Sequence, residues 1–539
     1  MPKIERRIEP LRRRLDGARR AGKSIGFVPT MGALHEGHLE LVRRARASCD
    51  LVVVSIFVNP TQFGPGEDFE RYPRDLKRDT ALLAGAGCDL VFAPSTEEMY
   101  PPGFGTTVQV RGVSEGLCGQ ARPGHFAGVA LVVLKLMLVV MPDQAFFGEK
   151  DYQQLMVIRR LAEDLALPSE IVGVPTVREK DGLALSSRNA YLSGPERLVA
   201  TALYRSLELA RLVVASGERR SQMIKQRLTS FLLDAGVSRV DYVAVVDPRT
   251  LAPSVRIDGP VRLLVAAWVG TTRLIDNAGL DPATFTSRTP IGQDIVGVIL
   301  AAGEGKRMKS RLPKVMHPVA GKPMLAHVIA ACRRAGVGDL VAVVGHGGSR
   351  VTPLVRRLGG RTVTQDVQRG TGHAVLQAFP LFAGFKGNVL VLSGDTPLIT
   401  AETIGRILDA HRGHNNAITF GTARVPEPRG YGRVVRDQRG AFVRIVEERD
   451  ADAATRLLDE VNGGLYCFRA QALFDCLPLL TADNAQREYY LTEAIDLVKA
   501  RGGRVEAVLV NDYAELAGVN TPQELAQARR FFAARSRSA

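Results

Sequence analysis

The stretch FVPTMGALHEGHLELVRRA, residues 27–45, decides the fold of the first half of the chain. An apolar start ends at Pro29, a loop of small residues containing Gly32 and Ala33 follows, and Leu39, Leu41 and Val42 then recur at helical spacing. Strand, loop and helix in that order open a βαβ unit. His35 and His38 stand three apart at the helix entrance, where unpaired N–H groups and the helix dipole favour an anion such as a nucleotide phosphate. A zinc-protease reading fails, because H-E-x-x-H needs histidines four apart.

Outward from this unit the pattern repeats. Apolar runs over 24–28, 51–58 and 90–93 alternate with charged, helix-periodic segments, which predicts a parallel sheet covered by helices. A second series begins with a strand over 295–300, a Gly-rich loop, a helix from Met324 and a strand over 340–344. Between the two lies NAGLDPATFTSRTPIGQ, residues 277–293, polar and punctuated by Pro and Gly, which reads as a connection. Upstream, Gly17 to Ser24 matches G-x-x-x-x-G-K-[ST], but here a charged helix over 5–20 precedes and a strand follows. A phosphate loop needs the reverse order, so the match is a decoy.

Composition narrows the class. For 539 residues the usual domain size predicts three or four folded units, and 45% hydrophobic residues exclude a disordered chain. The net charge of +15 comes from 58 Arg and 13 Lys spread over both halves, without aromatic-basic interleaving, so no nucleic-acid partner is expected. The six cysteines form no Cys-x-x-Cys pair, and the longest apolar run, Val129 to Met141, is interrupted by Lys135 and too short to span a bilayer. The expectation is a soluble cytoplasmic protein with no membrane contact; the small-molecule partners are those that the family resemblances below imply.

Further motifs cluster at predicted strand ends. SIFVNPTQF (55–63) carries Asn59 and Gln62, AFFGEKDYQQL (145–155) carries Lys150, Asp151 and Gln154, and GLALSSRNAYL (182–192) carries Ser186, Ser187 and Arg188. Carboxyl ends of strands are where open α/β sheets bind ligands. With YPR at 72–74 and LCGQARPGHFAGV at 117–129, these segments resemble the pantoate-beta-alanine ligase (pantothenate synthetase) family over about residues 3–280. The resemblance implies a Rossmann-type H-x-G-H adenylyl-transfer domain over 1–178 and a smaller α+β subdomain over 179–280 that closes on it, in a homodimer. It implies an ATP site made of Met31, Gly32, Ala33, Leu34, His35, Glu36, Gly37 and His38, completed by Gly148, Glu149, Lys150, Asp151, Val177, Leu185, Ser186, Ser187 and Arg188. Of these, His35, His38, Lys150 and Arg188 would be catalytic, and Gln62, Gln154 and Asn59 would hold pantoate. Two departures, Leu131 and Leu138 where the family commonly has Thr and Asn, fall in predicted core.

The second series opens with VGVILAAGEGKRMKSRLPKVMHPVAGKPML, residues 296–325. A strand runs into a Gly-rich loop followed by Arg307 and Lys314, a backbone cradle with two cations suited to a triphosphate. The third Gly of a dinucleotide fingerprint is missing. Asp395, directly after the apolar strand of VLVLSGDTPLI, is placed as a metal carboxylate. Together with TQDVQRGTGHA, RGYGRVV, RIVEERDA, VNGGLYCF and GVNTPQEL, these segments resemble the uridylyltransferase domain of bifunctional N-acetylglucosamine-1-phosphate uridylyltransferases over about residues 294–527. That resemblance implies a Rossmann-like nucleotidyltransferase fold after a linker at 281–293, with a tail at 528–539. UTP would meet Leu300, Ala301, Ala302, Gly303, Arg307, Lys314, Gln365, Gly370 and Thr371, with Arg307 and Lys314 catalytic. The amino-sugar phosphate would meet Gly432, Glu447, Asn462 and Asn520, and Asp395 with Asn520 would hold Mg2+. Gly463 stands where Thr is common, and the hexapeptide ladder that performs acetyl transfer in that family is absent from these 539 residues.

Overall fold

The computed structural model describes residues 1–64, 69–285, 294–303, 305–345, 347–382 and 385–538, and the statements below concern those residues. The chain forms two compact units, Met1–Ala210 with Glu218–Pro282, and Arg211–Gly217 with Ala283–Ala539.

The first unit is built on strands β1 (Lys3–Glu5), β2 (Ile25–Thr30), β3 (Leu51–Ile56), β4 (Leu90–Phe92), β5 (Gln144–Gly148) and β6 (Glu170–Val174). They pair in the order β1-β4-β3-β2-β5-β6, every pair parallel. Val52, Val53 and Val54 are fully buried, as the unbroken β-branched run of a strand covered on both faces requires. From β2 the chain moves outward through β3 and β4, then returns to the other side of β2 as β5. The β2–β5 boundary is therefore a topological switch point, and the loops after both strands open into the same crevice. An antiparallel meander, β7 (Arg239–Val246), β8 (Val261–Val269) and β9 (Thr272–Leu280), completes the unit.

In the second unit β10 (Ile295–Ala301) is followed by a small hairpin, β11 (Pro318–Val319) with β12 (Lys322–Pro323), then β13 (Asp339–Val344), β14 (Arg361–Thr364) and β15 (Asn388–Ser393). After these come β16 (Ile418–Arg424), β17 (Arg433–Arg436), β18 (Phe442–Val446), β19 (Glu460–Arg469) and β20 (Val505–Leu509). The sheet order is β14-β13-β10-β15-β19-β16-β20, with β17 and β18 pairing beside β19. β10 lies parallel to both β13 and β15, so a second switch point sits at the ends of β10 and β15. β19 runs antiparallel to β15 and β16, making this a mixed sheet.

Several local expectations change. The expected helix over 5–20 begins only at Ile8, because Lys3–Glu5 pairs with β4. The decoy segment behaves as its order demands, Gly17 lying inside that helix and Gly22 ending it at φ 72° before β2. Leu138 is 51% exposed on the outer side of the helix His125–Val140, not core, and Leu131 is half-buried. The stretch expected as a tail continues the helix Pro522–Ser538, in which Leu525 and Ala528 are buried and Phe531 and Phe532 pack beside Met308 and Met324. Most of the expected linker, residues 286–293, lies outside the described residues.

Candidate functional site

The loop after β2 is shaped before any ligand arrives. Gly32 and Ala33 take left-handed φ values of 87° and 52°, and the backbone N–H groups of Ala33 and Leu34 each donate to the buried carboxylate of Asp79 at 2.9 Å. The loop then enters the helix Glu36–Ser48 with His35 as N-cap. The His35 Nδ1 accepts from the Gly37 N–H at 3.2 Å, and the His38 Nδ1 accepts from the His35 N–H at 3.4 Å. The two rings sit 4.1 Å apart. Burial lowers His35 to about 4, helped by the Lys150 charge, and lowers His38 to about 3, helped by His35. Both imidazoles are thus neutral near pH 7, and with each Nδ1 accepting, each proton sits on Nε2 as a donor.

This arrangement differs from the expectation in one respect. Part of the donor capacity at the helix start is taken up by the histidines themselves, which cap their own helix and leave two neutral Nε2–H donors rather than positive charge. The cations come from elsewhere: Lys150, in the turn Glu149–Asp151 after β5, lies 3.6 Å from the Asp151 carboxylate, and Arg188 belongs to the turn Ser187–Tyr191 capped by Ser186.

A cavity of about 240 Å³ gathers these groups. Met31, His35, Gly37 and His38 line it from the first loop, Gly148, Lys150, Asp151 and Gln154 from the second, and Val177, Leu185, Ser186, Ser187 and Arg188 from a third segment. Asn59 and Gln62 complete the wall. A larger cavity of about 1090 Å³ shares Lys150, Asp151, Gln154, Ser186 and Arg188, and extends to the meander at Tyr242, Trp268 and Arg273.

Five expected residues do not line the smaller cavity. Leu34 is core, 1% exposed, and Gly32 and Ala33 shape the loop. Glu36 is exposed and paired with Arg43 at 2.6 Å, while Glu149 is paired with Arg262 of β8 at 3.0 Å. Asp79, Arg122, His125 and Tyr72 were not singled out from sequence, although the last three lie in motifs quoted above and line the cavity. Their segments carried the signal; only Asp79, 45 residues from Leu34, had none.

The second unit assembles its groups at the β10–β15 switch point. Lys314 Nζ donates to the Asp395 carboxylate and, at 2.9 Å, to Asn520 Oδ1. Asp395 follows β15 and Lys314 follows the loop after β10, whose Gly305 stands in the left-handed region at φ 64° close against Lys314. Gln368 Nε2 holds the Ala302 carbonyl at the start of that loop. Leu300 is half-buried, Ala301 and Ala302 are buried, and Gly303 and Arg307 are exposed. Gln365 is buried with its amide turned inward to the Gly370 carbonyl and His373 Nδ1, at 3.2 and 2.8 Å, and Thr371 Oγ1 accepts from the Leu491 N–H. Gln365 Nε2 and Thr371 Oγ1 therefore hold the loop Gly370–Thr371.

Gly432 lies beside both Glu447 and Asn462. Asn462 N–H donates to the Gly432 carbonyl at 2.8 Å, and a Cβ on Gly432 would stand 3.3 Å from Glu447 Oε2. Burial raises the Glu447 carboxyl, which accepts from Thr492 Oγ1. Tyr431, absent from the expected set, precedes Gly432, and burial raises its phenol, helped by the Glu524 and Asp395 charges. Gly463 is explained by packing, since any Cβ there would meet Leu516 Cδ1 at 2.2 Å.

Among the described residues no group of three or more His, Cys, Asp or Glu could hold a metal. Asp395 and Asn520 nevertheless present two hard oxygen donors to one ammonium, a set that suits Mg2+ completed by substrate phosphates and water. Also among the described residues, no helix is long and apolar enough to cross a membrane.

Residues 3–279 match the family model of pantoate-beta-alanine ligase, and residues 297–485 match that of a MobA-like NTP transferase domain. The chain is 55% identical over 274 residues to the pantothenate synthetase of Moorella thermoacetica, covering 51% of this chain and 97% of that protein. It is 54% identical over 279 residues to that of Paramagnetospirillum magneticum, covering 52% and 98%. The crystal structure of pantothenate synthetase from Thermus thermophilus covers 52% of this chain and 99% of its own, at 51% identity and a TM-score of 0.49.

Proposed function

The chain belongs to the pantoate-beta-alanine ligase family, matched over residues 3–279, and on that premise we propose that its first unit joins pantoate to beta-alanine at the expense of ATP. The observation that carries this reading is the single cavity on which His35, His38, Gln62, Lys150 and Arg188 converge. ATP phosphates lie against the loop Met31–His38, where the two Nε2–H donors bond phosphate oxygens without adding charge. Pantoate lies between Gln62 and Gln154. Its carboxylate oxygen attacks the α-phosphorus, a P–O bond to pyrophosphate breaks, and Lys150 and Arg188 offset the negative charge gathering on the leaving group. The amine of beta-alanine then attacks the carbonyl of pantoyl adenylate, AMP departs with the bonding electron pair, and the amine loses its proton. Adenylation is needed because a carboxylate has no adequate leaving group, and enclosure keeps water from the anhydride.

For the second unit, a nucleotidyltransferase, we infer transfer of UMP from UTP to N-acetylglucosamine 1-phosphate. Its support is the convergence of Lys314, Asp395 and Asn520 at one switch point, with Gly432, Glu447 and Asn462 beside one another. Asp395 and Asn520 would hold Mg2+, which when bound supplies charge neutralisation for the nucleotide phosphates. Arg307 and Lys314 offset charge on the departing pyrophosphate, and Glu447 and Asn462 orient the sugar. The MobA-like match favours a second reading, another base or sugar 1-phosphate; a third is a non-catalytic scaffold. The buried, unpaired state of all six cysteines supports a reducing, cytoplasmic setting.

Purified chain given ATP, pantoate and beta-alanine should release AMP and pantothenate, and His38→Ala should depress the rate; failure of either removes the first assignment. With Mg2+ and N-acetylglucosamine 1-phosphate, pyrophosphate release should be faster with UTP than with other NTPs. Preference for another NTP or for glucose 1-phosphate selects the second reading, and no release with any pair selects the scaffold.

A further inference from the structure

Asn59 has no hydrogen-bonding capacity left for a substrate. Its Oδ1 accepts three donors, the Thr61 N–H at 3.3 Å, Thr61 Oγ1 at 3.0 Å and the Tyr100 hydroxyl at 2.9 Å. Its Nδ2 donates to Gln62 Oε1 and to the Gly128 carbonyl, both at 3.2 Å. The residue is 1% exposed. A carboxamide carries one acceptor end and one donor end. The Thr61 N–H can only donate and the Gly128 carbonyl can only accept, so the orientation of the Asn59 amide is unambiguous.

That orientation passes to the next amide. With Asn59 Nδ2 facing it, Gln62 must turn Oε1 towards Asn59 and its NH2 group away, and Gln62 Nε2 accordingly lies 2.8 Å from the Met31 thioether on the cavity wall. A thioether sulfur is a weak acceptor. The Gln62 NH2 is thus a directed donor facing only a feeble partner, suited to a carboxylate or hydroxyl oxygen of a substrate.

We propose that Tyr100 and Asn59 are positioning residues that fix the Gln62 amide with its NH2 towards the acyl substrate, so that the cavity selects a hydrogen-bond acceptor at that point. The inference rests on the ligase reading of this site and assigns Asn59 an indirect role in place of direct contact with pantoate. Tyr100 comes from a distant segment, 41 residues from Asn59. Its ring is itself held, with Phe104 at 5.2 Å and the Lys135 ammonium 5.8 Å above its centre. Lys135 also donates to the Met99 carbonyl, which anchors the backbone just before Tyr100. This accounts for a lysine in the otherwise apolar helix His125–Val140.

The test is a double-mutant cycle on the full chain, with steady-state kinetics and thermal unfolding measured for each variant. Tyr100→Phe should raise KM for pantoate roughly three- to tenfold, the loss of one hydrogen bond, with kcat within about twofold, KM for ATP unchanged and the unfolding midpoint preserved. Gln62→Ala should raise the same KM more. In the Gln62→Ala background the Tyr100→Phe effect should vanish, since residues acting through one another are not additive. Thr61→Val, which removes a second donor to the same Asn59 oxygen, should follow the same pattern and serves if Tyr100→Phe fails to fold. The relay is overturned if these variants leave KM for pantoate unchanged, shift KM for ATP equally, or multiply fully with Gln62→Ala. Inactivity of the wild-type chain with pantoate, or indifference to Gln62→Ala, would instead overturn the reading on which the relay rests.

Discussion

The ammonium of Lys314 donates to the carboxylate of Asp395, tying the end of the loop after β10 to the end of β15 across a switch point in the second unit. Both side chains are mostly covered, 16% and 12% exposed, and Asn520 shares the ammonium. Removing one partner leaves the other as a covered charge without its counterion. Lys314→Met should therefore destabilise the second unit by about 3 kcal/mol, read as a fall in its urea midpoint while the transition of the first unit stays in place. Nucleotidyl transfer should be lost in the same variant.

His35 and His38 predict how the ligase unit responds to acid. Their folded values, about 4 and about 3, lie below the ordinary 6.5 of an unfolded histidine. Between those values the unfolded chain binds more protons than the folded one, so stability rises with pH. The contribution is complete above about pH 6.5 and declines as the pH falls towards 4. Urea unfolding followed from pH 7 to pH 4 should show this slope, and His38→Gln should flatten it. Ligase activity should show no ionisation of these two histidines between pH 7 and pH 8, and a pH profile of kcat/KM checks that.

Asp79 accepts from two backbone N–H groups of the loop Met31–His38 and is 1% exposed. Asp79→Ala leaves both donors without their partner, a cost of about 2 kcal/mol, and frees a loop held in the left-handed region at Gly32 and Ala33. KM for ATP should rise about tenfold or more, by the same free-energy scale, while KM for pantoate, whose proposed site is Gln62 and Gln154, should stay near the wild-type value. Parallel titrations of the two substrates distinguish this from general unfolding.

Two Gly→Ala substitutions should act in opposite directions. At Gly128 a Cβ would stand 2.1 Å from the Thr61 carbonyl oxygen, driving the helix His125–Val140 away from the turn that carries Asn59 and Gln62. Gly128→Ala should lower the unfolding midpoint and raise KM for pantoate. Gly17 sits in the helix Ile8–Arg20 with nothing within 4 Å of the added carbon. Gly17→Ala should stabilise by about 0.5–1 kcal/mol and leave kinetics untouched, and thermal unfolding of both variants measures the contrast.

The sequence alone determined what neighbours along the chain decide. Strand, small-residue loop and helix are contiguous, so the loop Met31–His38, the turn at Lys150 and the loop before Lys314 could be placed at strand ends from apolar periodicity and glycine alone. The order Gly17 to Ser24, helix before strand, was enough to dismiss a phosphate loop. Periodicity records which side of an element is covered, not which distant element covers it. Hence Leu138, one residue in an apolar run, reads as core although its side of the helix faces solvent. The partners that shape the candidate sites lie 45 residues from Leu34 for Asp79, 41 from Asn59 for Tyr100, and 206 from Lys314 for Asn520. Only the strand order, which brings β5 beside β2 and β15 beside β10, creates the two crevices where those residues meet. Hydrogen bonds are directional and short-ranged, so whether an amide such as Asn59 binds a substrate or merely aims its neighbour depends on donors supplied across that crevice, and the tertiary structure decides it.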